Sequence, residues 1–127
     1  MSKKNLCIEY MLKNASIPLL WTSIGTPLGL AEWFADGVTV ERDEYTFVWE
    51  GHEQTARLID KKANKFIRFQ WLEDEGTEAH FEIRIVKEAI TGQLSLLIVD
   101  YVPEDEREDL ILLWNKQIEV LKRKTGI

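Results

Sequence analysis

Two short helices in direct succession constrain the fold of this chain more than any other feature. Ser16 is followed by Pro18, and Thr26 is followed at once by Pro27. A Ser or Thr hydroxyl caps a helix by accepting a backbone N–H, and proline is tolerated in the first turn because its missing donor is not needed there. The pattern predicts a helix of about two turns that ends at Gly25 and a second short helix that begins immediately.

Strand-like segments flank these two helices. Leu6 to Leu12 alternates apolar and mixed residues with period two, as expected for a strand with one face inward. From Val38 to Tyr101 the same period recurs between breaks rich in Gly, Asn, Asp and charged residues. We therefore expect six further strands in consecutive antiparallel hairpins. Glu82 and Arg84 alternate with apolar residues, which predicts one sheet face toward water and the other covered.

The last segment is predicted to be a long helix that covers the sheet. Pro103 opens it, acids from 104 to 109 crowd its start, and basic residues from 122 to 124 lie at its end, as the helix dipole favours. Its apolar stripe recurs at three- and four-residue intervals. The stripe consists of Ile111, Trp114, Ile118 and Leu121, widened by Leu110, Leu113 and Val120.

Composition bounds the class of protein. The chain has 127 residues, which favours a single domain over residues 1–127, and a formal net charge of −6. Its Lys and Arg residues form no patch longer than three, so binding to nucleic acid is not expected. No uninterrupted apolar segment suits a signal peptide or a membrane span, and the expectation is a cytoplasmic protein. Cys7 is the only cysteine and is predicted to be a buried, small apolar residue of the first strand.

Three strings of residues together resemble one family. The first runs from Ala15-Ser16 through Trp21 to Thr26-Pro27-Leu28-Gly29-Leu30-Ala31-Glu32-Trp33-Phe34, the second is Phe69-Gln70-Trp71-Leu72-Glu73-Asp74, and the third leads from Pro103-Glu104-Asp105-Glu106 to Trp114, Ile118 and Leu121. In this order they resemble the START-like (SRPBCC) superfamily, and within it the family named after the activator of the heat-shock protein 90 ATPase. The resemblance covers essentially the whole chain.

The resemblance implies an α+β helix-grip fold, as in START-like and birch-pollen-allergen-like proteins. This fold is a seven-stranded antiparallel curved sheet with two short helices and one long C-terminal helix, and in relatives the space between sheet and helix often holds an apolar ligand. The resemblance does not imply an enzyme. Chaperone activation belongs to eukaryotic co-chaperones with a further N-terminal domain, so it does not transfer by resemblance alone.

A set of aromatic residues supplies the candidates for a ligand cavity. They are Trp33, Phe34, Phe47, Trp49, Phe69, Trp71, Phe81 and Trp114. Plain core packing explains such a set as well, because Trp and Phe fill cores efficiently and also suit flat apolar ligands.

Neither a metal site nor a catalytic centre is predicted. His52 and His80 are the only histidines, and with a single cysteine they offer no zinc-binding spacing. His80 is expected on the water-exposed face with Glu82 and Arg84. No cofactor is expected.

The sequence favours non-catalytic binding of a small apolar ligand or of a protein partner, by a monomer or a homodimer. One alternative is a cofactor-free enzyme of the polyketide cyclase or aromatase type that uses polar groups such as Tyr10, Tyr45, Tyr101 or His80. The other is a chaperone ATPase-activating co-factor.

Overall fold

The computed structural model describes residues 2–127, which form seven strands, three α-helices and two single 3₁₀ turns. In chain order these are β1 (Lys4–Leu12), α1 (Ile17–Gly25), α2 (Pro27–Trp33), β2 (Gly37–Glu41), β3 (Glu44–Trp49), β4 (His52–Lys62), β5 (Phe66–Trp71), a 3₁₀ turn (Leu72–Asp74), β6 (Phe81–Lys87), β7 (Leu94–Val102), a second 3₁₀ turn (Glu104–Glu106) and α3 (Arg107–Thr125). This is the predicted order of one strand, two short helices, six strands and a long helix.

The strands form one antiparallel curved sheet in the order β1-β7-β6-β5-β4-β3-β2. Strands β2 to β7 follow one another as hairpins, and β1 pairs with β7 at the edge, from Lys4 opposite Val102 to Leu12 opposite Leu94. The register shifts in β4 between Leu58 and Asp60, where Ile59 is an extra residue opposite β5. The predicted fold class is therefore confirmed.

Both predicted caps close their helices. The Ser16 hydroxyl accepts a hydrogen bond from the Leu19 amide at 3.3 Å, and the Thr26 hydroxyl accepts one from the Gly29 amide at 3.0 Å. Gly29 has a second role, because a β-carbon there would lie 1.9 Å from the Thr22 carbonyl oxygen of α1. A glycine inside this short helix thus allows the two helices to approach closely.

The core lies between the concave face of the sheet and the three helices. It includes Phe47, Phe69, Ile83 and Ile98 of the sheet and Trp114, Ile118 and Leu121 of α3, all fully or almost fully buried.

The buried side of α3 differs in part from the predicted stripe. Gln117 is buried, whereas Ile111 is only half-buried and Leu113 is half-exposed. The helix also begins later than predicted, because residues 104–106 after Pro103 form a 3₁₀ turn before α3 starts at Arg107.

The convex face corrects two further predictions. Cys7 is exposed rather than buried, because it points to the convex side of an edge strand, opposite Val99, where no helix covers it. Glu82, predicted to face water, is only 5% exposed because the guanidinium groups of Arg68 and Arg84 lie over it at 2.7 and 2.8 Å. The convex face is therefore polar, as predicted, but its central carboxylate is covered.

Candidate functional site

A cleft of about 490 Å³ opens where the first half of α3 separates from the sheet. Residues from strands β3 to β7, from α3 and from the segments that follow α2 and β3 line it, and we call it the aromatic cleft. Its lining consists of Phe34, Asp36, Trp49, Glu50, Gln54, Trp71, Phe81, Asp100, Leu110, Leu113, Trp114 and Gln117. A volume of this size suits a small organic molecule.

The walls of the aromatic cleft are the open ends of two inward-facing rows of side chains. On β3 the row passes from buried Tyr45 and Phe47 to half-buried Trp49. On β5 the equivalent row ends at half-buried Trp71. Both rows follow the two-residue period of a strand. The inward-facing residues of each strand therefore form the core along most of its length and the wall of the cleft at its end.

The rings pack on one another as a continuous wall. Phe34 is central, with its ring centroid 5.5 Å from Trp49, 5.6 Å from Phe81 and 5.6 Å from Trp114. Trp71 completes the wall at 4.9 Å from Phe81 and 6.0 Å from Trp49. These separations are typical of favourable aromatic pairs, so the wall is held in place before any ligand arrives.

Five of the eight predicted aromatic candidates line the aromatic cleft: Phe34, Trp49, Trp71, Phe81 and Trp114. The other three lie elsewhere. Phe47 and Phe69 are fully buried beneath the wall, and Trp33 packs in the core with its indole N–H donating to the Ser23 carbonyl oxygen at 2.9 Å.

One backbone carbonyl oxygen connects three parts of the cleft by accepting two hydrogen bonds. The backbone oxygen of Phe34, just after α2, accepts a hydrogen bond from the Trp49 indole at 2.7 Å and another from the Gln117 side-chain amide at 2.7 Å. These bonds join α2, the β3 strand and α3. The buried Gln117 amide thereby gains a partner, which explains how a polar side chain occupies the apolar side of α3.

Asp100 is the carboxylate on the inner wall of the cleft. It is 8% exposed and accepts hydrogen bonds from the Trp114 indole at 2.9 Å and from the Tyr101 amide at 2.7 Å. Burial raises the pKa of Asp100 to about 6, although the two hydrogen bonds and the nearby charge of Lys3 act in the opposite direction. A carboxyl group with this environment titrates near neutrality.

Asp36 and Glu50 supply two more carboxylates to the lining of the cleft. Asp36 also accepts a hydrogen bond from the Glu50 amide at 2.8 Å, which fixes the tight turn between β3 and β4 beside the cleft. Gln54 donates to Glu73 at 2.6 Å on the same side. Three of the lining residues, Asp36, Glu50 and Asp100, are acids, and none of the lining residues is Lys, Arg or His.

Sequence reasoning did not identify the polar residues of this cleft. Asp100 had a usable signal, because it shares the inward phase of β7 with Leu94, Leu96 and Ile98. A carboxylate at an inward position of an apolar strand is rarely accommodated without a purpose. The sequence provided a weaker indication for Gln117, which lies one helical turn after Trp114 and so on the same side of α3. It provided no indication for Glu50.

The histidines and tyrosines considered for catalysis lie outside the aromatic cleft. Tyr45 is buried in the core, and the Tyr10 hydroxyl donates to Asn115 at 2.6 Å. His80 is half-buried rather than exposed, because its ring packs 5.0 Å from Tyr101 and its Nδ1 donates to the Glu78 carbonyl oxygen at 2.8 Å. These polar groups therefore do not meet in the aromatic cleft.

No group of three or more His, Cys, Asp or Glu side chains within residues 2–127 is arranged to hold a metal ion. No helix in this part of the chain is long and apolar enough to cross a membrane.

A family model described as a START-like superfamily domain matches residues 1–127. Among solved structures, the chain is similar to the protein BfR322 from Bacteroides fragilis, with 38% sequence identity over 100% of this chain and 94% of that chain, at a TM-score of 0.67. No curated protein matches it.

Two further structures share the fold at lower identity. The Aha1 dimer from Colwellia psychrerythraea is 15% identical over 98% of this chain and 97% of that chain, with a TM-score of 0.78. CalU16 from Micromonospora echinospora is 14% identical over 97% of this chain and 76% of that chain, with a TM-score of 0.74.

Proposed function

We propose that this chain, which belongs to the START-like superfamily, binds a small apolar ligand in the aromatic cleft and does not transform it. The observation that carries the proposal is a preformed wall of five aromatic side chains beside an opening of about 490 Å³. Two of these side chains, Trp49 and Trp71, are only half-buried, so apolar ring surface remains available to a ligand.

The placement of polar groups supports binding over catalysis. The tyrosines and the histidine that a cofactor-free cyclase would use lie outside the cleft. Asp100 favours a second candidate, acid–base catalysis, because a carboxyl group with a raised pKa in a cleft can exchange protons near neutral pH. Binding has the stronger support, since each oxygen of Asp100 already accepts a hydrogen bond, one of them from the Trp114 indole of the aromatic wall.

A titration with the neutral probe 2-naphthylmethanol tests the proposal. We expect the indole N–H resonances of Trp49 and Trp114 to shift in the two-dimensional NMR spectrum of ¹⁵N-labelled protein, because both side chains line the cleft. The indole resonance of Trp21 serves as an internal control, since this side chain lies on α1 against Gly25, outside the cleft. Equal shifts of all indoles, or none at millimolar probe, would contradict the proposal.

A matched pair of variants locates the site. Trp71 and Trp21 are both half-buried tryptophans, but only Trp71 lines the cleft. We expect Trp71→Leu to weaken binding of the probe by about tenfold, because a ring contact and its buried area are worth about 1–2 kcal/mol. Trp21→Leu should leave the dissociation constant unchanged. Equal effects of the two substitutions would place the binding elsewhere.

A further inference from the structure

Resting on the proposed function, we infer that the preferred ligand of the aromatic cleft carries a protonated amine on an aromatic or aliphatic body. The ammonium group binds Asp100 and the body lies along the aromatic wall. The proposed function specifies only an apolar ligand, and this inference adds a positive charge to it.

The charged residues in the lining of the cleft are all acidic: Asp36, Glu50 and Asp100. Lys3 is the cation whose charge acts on Asp100. Its ammonium group is already paired with Asp74 at 2.9 Å, so the pair contributes no net charge.

Asp100 retains capacity to bind a cation. A carboxylate has about four acceptor positions, and Asp100 uses one on each oxygen, toward Trp114 and Tyr101. An ammonium group brings donors and no acceptor, so it matches the positions that remain. It also supplies the opposite charge to a carboxylate that is 8% exposed and pays a desolvation cost when ionised.

The aromatic wall stabilises the same charge. Trp49, Trp71 and Phe81 line the same cleft as Asp100, and the faces of such rings attract a cation, tryptophan most strongly. Partial removal of water strengthens this attraction. The carboxylate and the rings therefore favour the same class of ligand independently of each other.

The same electrostatics disfavour an acidic ligand. A fatty acid or an aromatic carboxylate would add a further negative charge to a cleft that holds Asp36, Glu50 and Asp100. Like charges within a partly desolvated site repel, and the lining offers no basic side chain to compensate. Selection between ligands of the same shape thus depends on charge.

Three probes of nearly the same shape test the inference: 2-naphthylmethylammonium, 2-naphthylmethanol and 2-naphthoate. By isothermal titration calorimetry at neutral pH and low salt, we expect the ammonium probe to bind about tenfold more tightly than the alcohol, since a charge-assisted hydrogen bond with a cation–π contact exceeds a neutral pair by about 1.4 kcal/mol. The naphthoate should bind more weakly than the alcohol. Because exposed charges contribute, the preference should shrink as salt is raised.

A matched pair of exposed glutamates provides the variant test. Glu50→Gln removes one cleft charge, whereas Glu53→Gln removes the same charge from β4 outside the cleft. We expect the ratio of ammonium to alcohol affinity to fall about twofold to threefold in Glu50→Gln, as for an exposed ion pair, and to stay unchanged in Glu53→Gln. Asp100→Asn should abolish most of the preference while the alcohol still binds.

The outcomes separate the inference from the proposed function. If the ammonium and the alcohol bind equally, or the naphthoate binds best, the inference is wrong and apolar binding stands. If no probe binds, both are wrong. If the resonances of the cleft instead change with protein concentration alone, a second copy of the chain occupies the cleft and the inference is overturned.

Discussion

Replacement of Asp100 by asparagine should change how the stability of the protein depends on pH. In the folded chain burial raises the pKa of Asp100 from 3.8 to about 6. Between these values the folded state holds a proton that the unfolded state has lost, so stability decreases as pH rises. The difference between 3.8 and about 6 amounts to about 3 kcal/mol at about 1.4 kcal/mol per pH unit.

Asparagine is a suitable reference because it resembles the protonated acid. Each has one carbonyl oxygen and one donor group, so near pH 4 the variant and the wild type should have similar free energies of unfolding. Near pH 7.5 the wild type bears an ionised, buried carboxylate and the variant does not. We expect Asp100→Asn to be more stable than the wild type by about 3 kcal/mol at that pH, because the hydrogen bonds that the carboxylate accepts are already included in its raised pKa.

Urea unfolding from pH 4 to 7.5, followed by circular dichroism, measures this difference. Other titrating groups, Glu82 among them, act alike in both proteins and cancel in the comparison. A difference between variant and wild type that stays constant across this range would refute the reasoning, because it would mean that Asp100 has an ordinary pKa in the folded protein.

Three other substitutions test the supports of the cleft and the fold by urea unfolding. Gly29→Ala should destabilise by about 3 kcal/mol, because the new methyl group would meet the Thr22 carbonyl oxygen at 1.9 Å; a loss below about 1 kcal/mol would contradict the close approach of the helices. Gln117→Leu should cost about 1 kcal/mol, since the Phe34 carbonyl oxygen keeps one donor; no measurable loss would mean that this bond is not formed. Glu82→Gln should destabilise the protein near neutral pH, and the loss should become smaller as the pH falls below 4.5. Burial raises the pKa of Glu82, but hydrogen bonds and charges from two arginines outweigh it and lower the pKa below 4.5, so its contribution is present above that pH and lost as the acid is protonated; a loss that does not change with pH would contradict this.

The architecture could be predicted because local signals and long-range packing agree. The hydroxyl groups of Ser16 and Thr26 cap their helices by accepting hydrogen bonds from backbone amides three residues later, so the sequence alone predicts these caps. The two-residue period of the strands survives because one sheet face is covered by helices.

The position of the cleft could not be predicted, because it depends on where the core ends. Phe47 and Trp49 share one phase of β3, yet only Trp49 reaches the opening. Nothing in the alternation marks the point at which α3 separates from the sheet. The same ambiguity applies to Phe69, which the sequence predicts in the cavity and which lies fully buried in the core.

The predicted exposures of Cys7 and Glu82 were wrong because the exposure of each side chain depends on residues that are distant in the sequence. Cys7 lacks a cover that a central strand would have, and Glu82 gains one from Arg68 on the neighbouring strand. Both outcomes depend on strand order, which periodicity does not contain.

Ligand binding in the aromatic cleft is tested most directly by intermolecular nuclear Overhauser effects in a complex with 2-naphthylmethylammonium. The naphthyl protons should show contacts with the rings of Trp49, Trp71 and Trp114, which line the cleft. Contacts confined to apolar residues on the outer surface, such as Leu28 or Leu112, would contradict a ligand site between the sheet and the C-terminal helix.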